Sequence, residues 1–150
     1  MFIGREEELN FLEDRYNSAD GQLIVLYGRR RVGKTELLRQ FCQDKEHIFY
    51  TCTEIIDEKQ LEAFSQRLLE KNHQAAKYIT HFSDWEQALL SISELAKEKK
   101  IVVVIDEFPY MVKGNNAIPS ILQKLWDEVL KQSNVMLILC GSAMSFIEKE

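Results

Sequence analysis

Residues 28–35 read Gly28-Arg29-Arg30-Arg31-Val32-Gly33-Lys34-Thr35, and they join an unbroken apolar run to an amphipathic stretch. Glycines at both ends of such a loop let the backbone wrap closely, so that successive N–H groups point inward. Together with the positive end of the following helix, those donors would cradle phosphate oxygens. Lys34 adds a cation on a flexible stem, within reach of β- and γ-phosphates, and the Thr35 hydroxyl is a hard oxygen ligand for Mg²⁺. Asp106 and Glu107 are the second set of candidates, at the end of the run "IVVVID". Ligands of open α/β sheets bind at the carboxyl ends of strands, and carboxylates placed there are costly unless something pairs them.

The first spacing is G-x-x-x-x-G-K-[ST], the Walker A pattern, in the context it requires: after a strand and opening a helix. With it in place, Asp106 fits a Walker B aspartate that holds Mg²⁺, and Glu107 fits the base that polarises an attacking water. The plainer alternatives are an ordinary strand-to-helix turn for the first segment and a solvated strand end for the second. Arg29, Arg30 and Arg31 have three readings: they screen phosphate charge, meet a partner, or face water.

Helix and strand patterns alternate along the chain, the mark of a parallel sheet covered by helices. Leu9, Leu12 and Tyr16 recur at spacings of three and four, giving a first helix that ends before Gly21. Strands are expected over 23–27 and 47–52, with a helix over 33–43 whose inner face carries Leu37, Leu38 and Phe41. Asp57 reads as an N-cap with Gln60 three residues on, opening one helix, and Ser83 and Glu86 make an S-x-x-E capping box that opens the next. The stripes that follow are Leu61, Phe64, Leu68 and Leu69, then Trp85, Leu89, Ile92 and Leu95. Residues 101–106 and 134–142 are continuous apolar runs, as expected of strands buried on both faces in the middle of a parallel sheet. Between them, Pro119 fits the first turn of a helix carrying Ile121, Leu122, Leu125, Trp126, Val129 and Leu130.

Composition narrows the function classes. The chain has 150 residues, 45% hydrophobic and 29% charged, the balance of one globular domain. No stretch approaches a membrane span and no leader pattern opens the chain, which points to the cytoplasm. Cys42, Cys52 and Cys140 are odd in number and far apart, so buried thiols are expected rather than a disulfide framework. His47, His73 and His81 lack metal-ligand spacing. A net charge of −5 gives no basic field, so this segment by itself does not indicate nucleic acid.

The loop "GRRRVGKT", the strand end "DEFPY", the opening "GREEEL" and the "CGS" near the end resemble the archaeal-type, AAA-related P-loop ATPases of prokaryotes. The resemblance covers essentially the whole chain. It implies an α/β fold, a P-loop NTPase three-layer α/β/α sandwich with a mainly parallel sheet of the AAA-type, additional-strand class. It implies ATP and Mg²⁺ as ligands, Phe2, Ile3, Gly4 and Arg5 beside the adenine, and Ser142 as the sensor-1 residue near the γ-phosphate or the catalytic water. Such ATPases carry a fifth strand and a helical lid beyond sensor 1, and complete the site with an arginine from a neighbouring copy or protein partner. The chain ends eight residues after Ser142, so residues 1–150 are expected to be the core of a longer protein with a further C-terminal domain, turning over slowly by themselves.

Three functions compete on this basis. The first is an ATP-binding, Mg²⁺-dependent ATPase core that powers or switches an attached domain. The second is a nucleotide-gated regulatory or protein-interaction module with little turnover. The third is a small-molecule kinase, against which stands the lack of any arginine beyond Arg67. The guanine-reading N-K-x-D pattern is absent, which disfavours a GTPase.

Overall fold

The computed structural model describes residues 6–27, 33–71 and 74–141. The expectations placed on Phe2, Ile3, Gly4, Arg5, Gly28, Arg29, Arg30, Arg31, Val32, His73 and Ser142 lie outside the described residues. The elements are α1 (Glu6–Tyr16), β1 (Gln22–Tyr27), α2 (Lys34–Cys42), β2 (His47–Thr51), α3 (Asp57–Leu69), α4 (Trp85–Leu90), α5 (Ile92–Leu95), β3 (Ile101–Asp106), α6 (Phe108–Gly114), α7 (Ile118–Glu128) and β4 (Val135–Gly141). Short 3₁₀ turns follow α3 and α7.

The four strands form one sheet in the order β1-β4-β3-β2, and every pair is parallel. The central pair is the one with unbroken apolar sequence, and all residues of β3 and β4 are buried. This is the expected outcome for β-branched runs without alternation, because helices must cover both faces. The strand that follows the α2 crossover, β2, lies at one edge. At the other edge is β1, where Leu23 and Val25 keep 39% and 37% of their surface exposed.

Strand periodicity of two splits the core into two clusters. On one face, Val102, Val104, Met136, Ile138 and Cys140 pack against Leu12 of α1 and Leu37, Leu38 and Phe41 of α2. On the other, Val103, Ile105, Leu137 and Leu139 pack against Phe64, Leu89, Phe108, Ile118 and Leu122, from α3, α4, α6 and α7. The result is the three-layer α/β/α arrangement. Lysines close helix ends around the sheet's amino-terminal side: Lys100 Nζ donates to the Tyr16 and Ser18 carbonyls at 2.7 Å. Lys45 Nζ donates to the Phe41 carbonyl and to Glu13 Oε2.

Two helix starts differ from the sequence expectation. Asp57 is the first residue of α3, and its carboxylate does not cap that helix. It accepts instead from Trp85 Nε1 at 2.8 Å and Asn115 Nδ2 at 3.4 Å, because tertiary donors on α4 and at the end of α6 outcompete the local turn. Gln60 is likewise drawn inward, accepting from the Tyr50 hydroxyl and donating to the Thr53 carbonyl. At α4 the cap is Asp84, whose side chain accepts from Gln87 N–H at 2.8 Å. The pair Ser83 and Glu86 does not form the cap; shifting the start by one residue turns Trp85 into the core, where it is buried. The helix also breaks at Ser91 into α4 and α5, with Ser91 Oγ bonding back to the Ala88 carbonyl. Val129 and Leu130 lie past the end of α7, and Leu130 is buried from the 3₁₀ turn. Among the described residues, no helix is long and apolar enough to cross a membrane.

Candidate functional site

Parallel strands bring all four carboxyl ends to one edge, with Tyr27 opposite Gly141 and Thr51 opposite Asp106. On that edge α2 begins. Gly33 precedes it at φ 75°, ψ 24°, the left-handed region that a Cβ disfavours, and its carbonyl accepts the Leu37 N–H. The turn aims the first residues of α2 back over the strand ends. Lys34 is only 7% exposed and Thr35 is half-buried.

Asp106 closes β3 on the same face as Val102 and Val104, the face covered by α2. It is 3% exposed. Thr35 Oγ1 donates to Asp106 Oδ2 at 3.1 Å, so two motifs 71 residues apart meet in one hydrogen bond. The other carboxylate oxygen, Oδ1, accepts from Glu107 N–H at 3.0 Å and lies 3.2 Å from Cys140 Sγ. The backbone of Asp106 is held too, its carbonyl accepting the Cys52 N–H at 2.8 Å.

Glu107 has φ 54° and ψ 42°, the only positive φ outside glycine among the described residues. A left-handed Glu costs roughly 1–3 kcal/mol, and such outliers persist where the surroundings over-determine them. Here it forms the joint between β3 and α6, whose Pro109 lies in the first turn. That short helix was not anticipated from sequence; the signal was Pro109 two residues after an acidic strand end. Helix α6 is fixed at its far end by Asn115 on Asp57 and by Lys113 paired with Glu54.

Gly141 belongs to the same joint. A Cβ at this position would lie 2.5 Å from Pro109 Cδ and 2.9 Å from its Cγ. The absence of a side chain on Gly141 therefore lets the start of α6 seat against the end of β4. Gly141→Ala is expected to destabilise the fold by about 1–3 kcal/mol through overpacking. The check is the urea midpoint, and an unchanged midpoint would mean that Pro109 yields without cost.

Two cysteines flank Asp106 from neighbouring segments, Cys140 from β4 and Cys52 just past β2. All three cysteines of the chain are buried free thiols. Burial pushes the Cys52 thiol up to about 12. Burial also raises the Cys140 thiol, with the Asp106 charge and hydrogen bond adding to the effect, while Lys34 works in the opposite direction without reversing it. Both therefore stand as neutral S–H groups at pH 7.

Among the described residues no group of three or more His, Cys, Asp or Glu side chains could hold a metal. A hydroxyl and one carboxylate oxygen 3.1 Å apart are hard oxygen donors. They suit a cation that takes one or two protein ligands and completes its shell with phosphate oxygens and water, as Mg²⁺ does. Lys34, Thr35, Asp106 and Glu107, all singled out from sequence, are gathered at this edge. Cys140 and Gly141 were not singled out for it. Their signal was available in strand parity, which sets Cys140 on the α2 face two residues from Ile138.

Residues 2–150 match the model of an ATPase domain family found predominantly in Archaea. The Methanocaldococcus jannaschii protein MJECL04 is 35% identical over 147 residues, which is 98% of this chain and 31% of that protein. The M. jannaschii ATP-binding protein MJ0423 is 54% identical over 46 residues, 31% of this chain and 78% of that protein. Among solved structures, the Walker-type ATPase PABY2304 of Pyrococcus abyssi superposes with a TM-score of 0.67 at 24% identity, covering 97% of this chain and 47% of its own. At that identity the match concerns the fold. The chain spans less than a third of MJECL04 and under half of the P. abyssi ATPase.

Proposed function

The chain belongs to the family of ATPase domains found predominantly in Archaea, and from that premise we propose that its strand-end site binds ATP and hydrolyses it with Mg²⁺. The observation that carries the reading is the Thr35–Asp106 hydrogen bond. It supports one shared ligand site built from the glycine-rich loop and the end of β3.

In this reading the backbone of Gly28, Arg29, Arg30, Arg31, Val32 and Gly33 cradles the phosphates, and Lys34 meets the β- and γ-oxygens. Thr35 and Asp106 hold the metal. Bound Mg²⁺ supplies charge neutralisation at the β- and γ-phosphate oxygens. Glu107, half-buried beside Asp106, orients a water for in-line attack on the γ-phosphorus. The bond from phosphorus to the β–γ bridging oxygen breaks, and the water's proton passes to the Glu107 carboxylate. Phe2, Ile3, Gly4 and Arg5 are assigned to the adenine and Ser142 to the γ-phosphate by family likeness. The turnover drives or switches a further domain of the longer protein, in the cytoplasm, with an arginine contributed by a second copy or a protein partner.

The test is an ATP titration and a phosphate-release assay on the full-length protein, with Mg²⁺ and with EDTA. Metal-dependent binding and steady release are expected. Nucleotide affinity indifferent to Mg²⁺ would overturn the assignment of Thr35 and Asp106.

A further inference from the structure

We propose that Cys140 is a positioning residue for Asp106, its thiol holding one carboxylate oxygen so that the other is presented to Thr35. The inference rests on the ATP and Mg²⁺ reading of this site. It starts from parity: Cys140 shares the α2-covered face of β4 with Met136 and Ile138. That places its sulfur beside the end of β3, 3.2 Å from Asp106 Oδ1 and 3.8 Å from the Ile105 carbonyl. A thiol has one proton, and the nearer acceptor is also the charged one, so the S–H donates to the carboxylate.

A carboxylate turns easily about its terminal torsion, which is broad and roughly two-fold. In Asp106 that freedom is removed from three sides. Glu107 N–H and Cys140 S–H meet at Oδ1, and Thr35 Oγ1 donates to Oδ2. The Glu107 donor comes from the adjacent residue and moves with the chain of Asp106 itself. The thiol comes from another strand, held by the register that pairs Ile105 with Leu139. It is thus the anchor that ties the carboxylate's rotation to the sheet. When a cation replaces the Thr35 proton as the partner of Oδ2, the Oδ1 donors are what keep the oxygen aimed.

Partners that orient metal ligands typically contribute 10–100-fold in metal affinity, and a thiol is a weak donor, so about tenfold is expected here. In the full-length protein, Cys140→Ala should weaken ATP binding in Mg²⁺ by that factor while leaving the affinity in EDTA unchanged. Cys140→Ser keeps a donor and should recover most of the loss. A Cys140→Ala protein that binds Mg²⁺ and ATP as tightly as wild type overturns the proposal. A loss equal in Mg²⁺ and EDTA also overturns it, since that would be a packing effect.

The infrared S–H stretch gives a reading without nucleotide or metal. The Cys140 band, identified by its disappearance in Cys140→Ser, should move to higher frequency in Asp106→Asn as the acceptor loses its charge. A band that stays in place overturns the proposal even if Cys140→Ala cannot be purified. If wild-type affinity ignores Mg²⁺ while the band does move, the metal reading fails and the thiol's hold on Asp106 stands.

Discussion

Glu107→Gln is expected to stop steady phosphate release while ATP still binds. The substitution keeps the volume and the hydrogen-bonding reach of the side chain and removes only its ability to take a proton. General-base assistance of this kind is typically worth 10²–10⁴ in rate, so turnover should fall by roughly 100-fold or more. Binding should persist because Glu107 contributes its backbone N–H to Asp106, and that donor is untouched by the exchange. The left-handed backbone at φ 54° is a property of the joint between β3 and α6, and Gln accepts it no worse than Glu. The measurement is single-turnover and steady-state phosphate release on the full-length protein at saturating ATP. Release within a few-fold of wild type would remove Glu107 from the mechanism.

Lys34→Ala should weaken ATP binding by roughly 10- to 100-fold, the equivalent of losing about 1.5–3 kcal/mol of charge-assisted hydrogen bonding. Lys34 is 7% exposed in the protein without nucleotide. Its charge acts on the Cys140 thiol at the end of β4, so the ammonium already stands near the strand ends and little further ordering is needed when phosphate arrives. Because burying a cation is unfavourable by itself, the same substitution should leave thermal stability unchanged or raise it. Lys34→Met separates charge from packing: it preserves the stem and should lose affinity as Lys34→Ala does. The check is calorimetric titration with ATP. Equal affinity in wild type and both variants would show that the phosphates are bound elsewhere.

The sheet's interior was readable in the sequence because burial on both faces leaves a chemical trace. Ile101 to Ile105 and Val135 to Cys140 lack polar alternation, and no amphipathic pattern competes with that reading. The start of α2 was readable for a similar reason, since the left-handed turn at Gly33, which sets Lys34 and Thr35 over the strand ends, follows from residue type. Caps were less legible. Asp57 has the right type to start a helix, yet Trp85, 28 positions away, claims its carboxylate. Ser83 and Asp84 are both good caps, and the choice between them depends on where Trp85 must point.

By itself, then, the sequence determined a parallel α/β domain with a glycine-rich segment between its first strand and the next helix and an acidic pair at the end of its third strand. Those features depend on periodicity and on residues adjacent in the chain. Only the tertiary structure decided the order β1-β4-β3-β2, and with it everything that joins distant segments. Inserting β4 between β1 and β3 sets Cys140 against Asp106, and it brings Gly141 under Pro109. The packing of α2 on the even-numbered face of β3 puts Thr35 on the other oxygen of the same carboxylate. No local propensity encodes such meetings, because they arise from crossover connections and strand register, where a slip of one residue would turn Asp106 to the opposite face of the sheet.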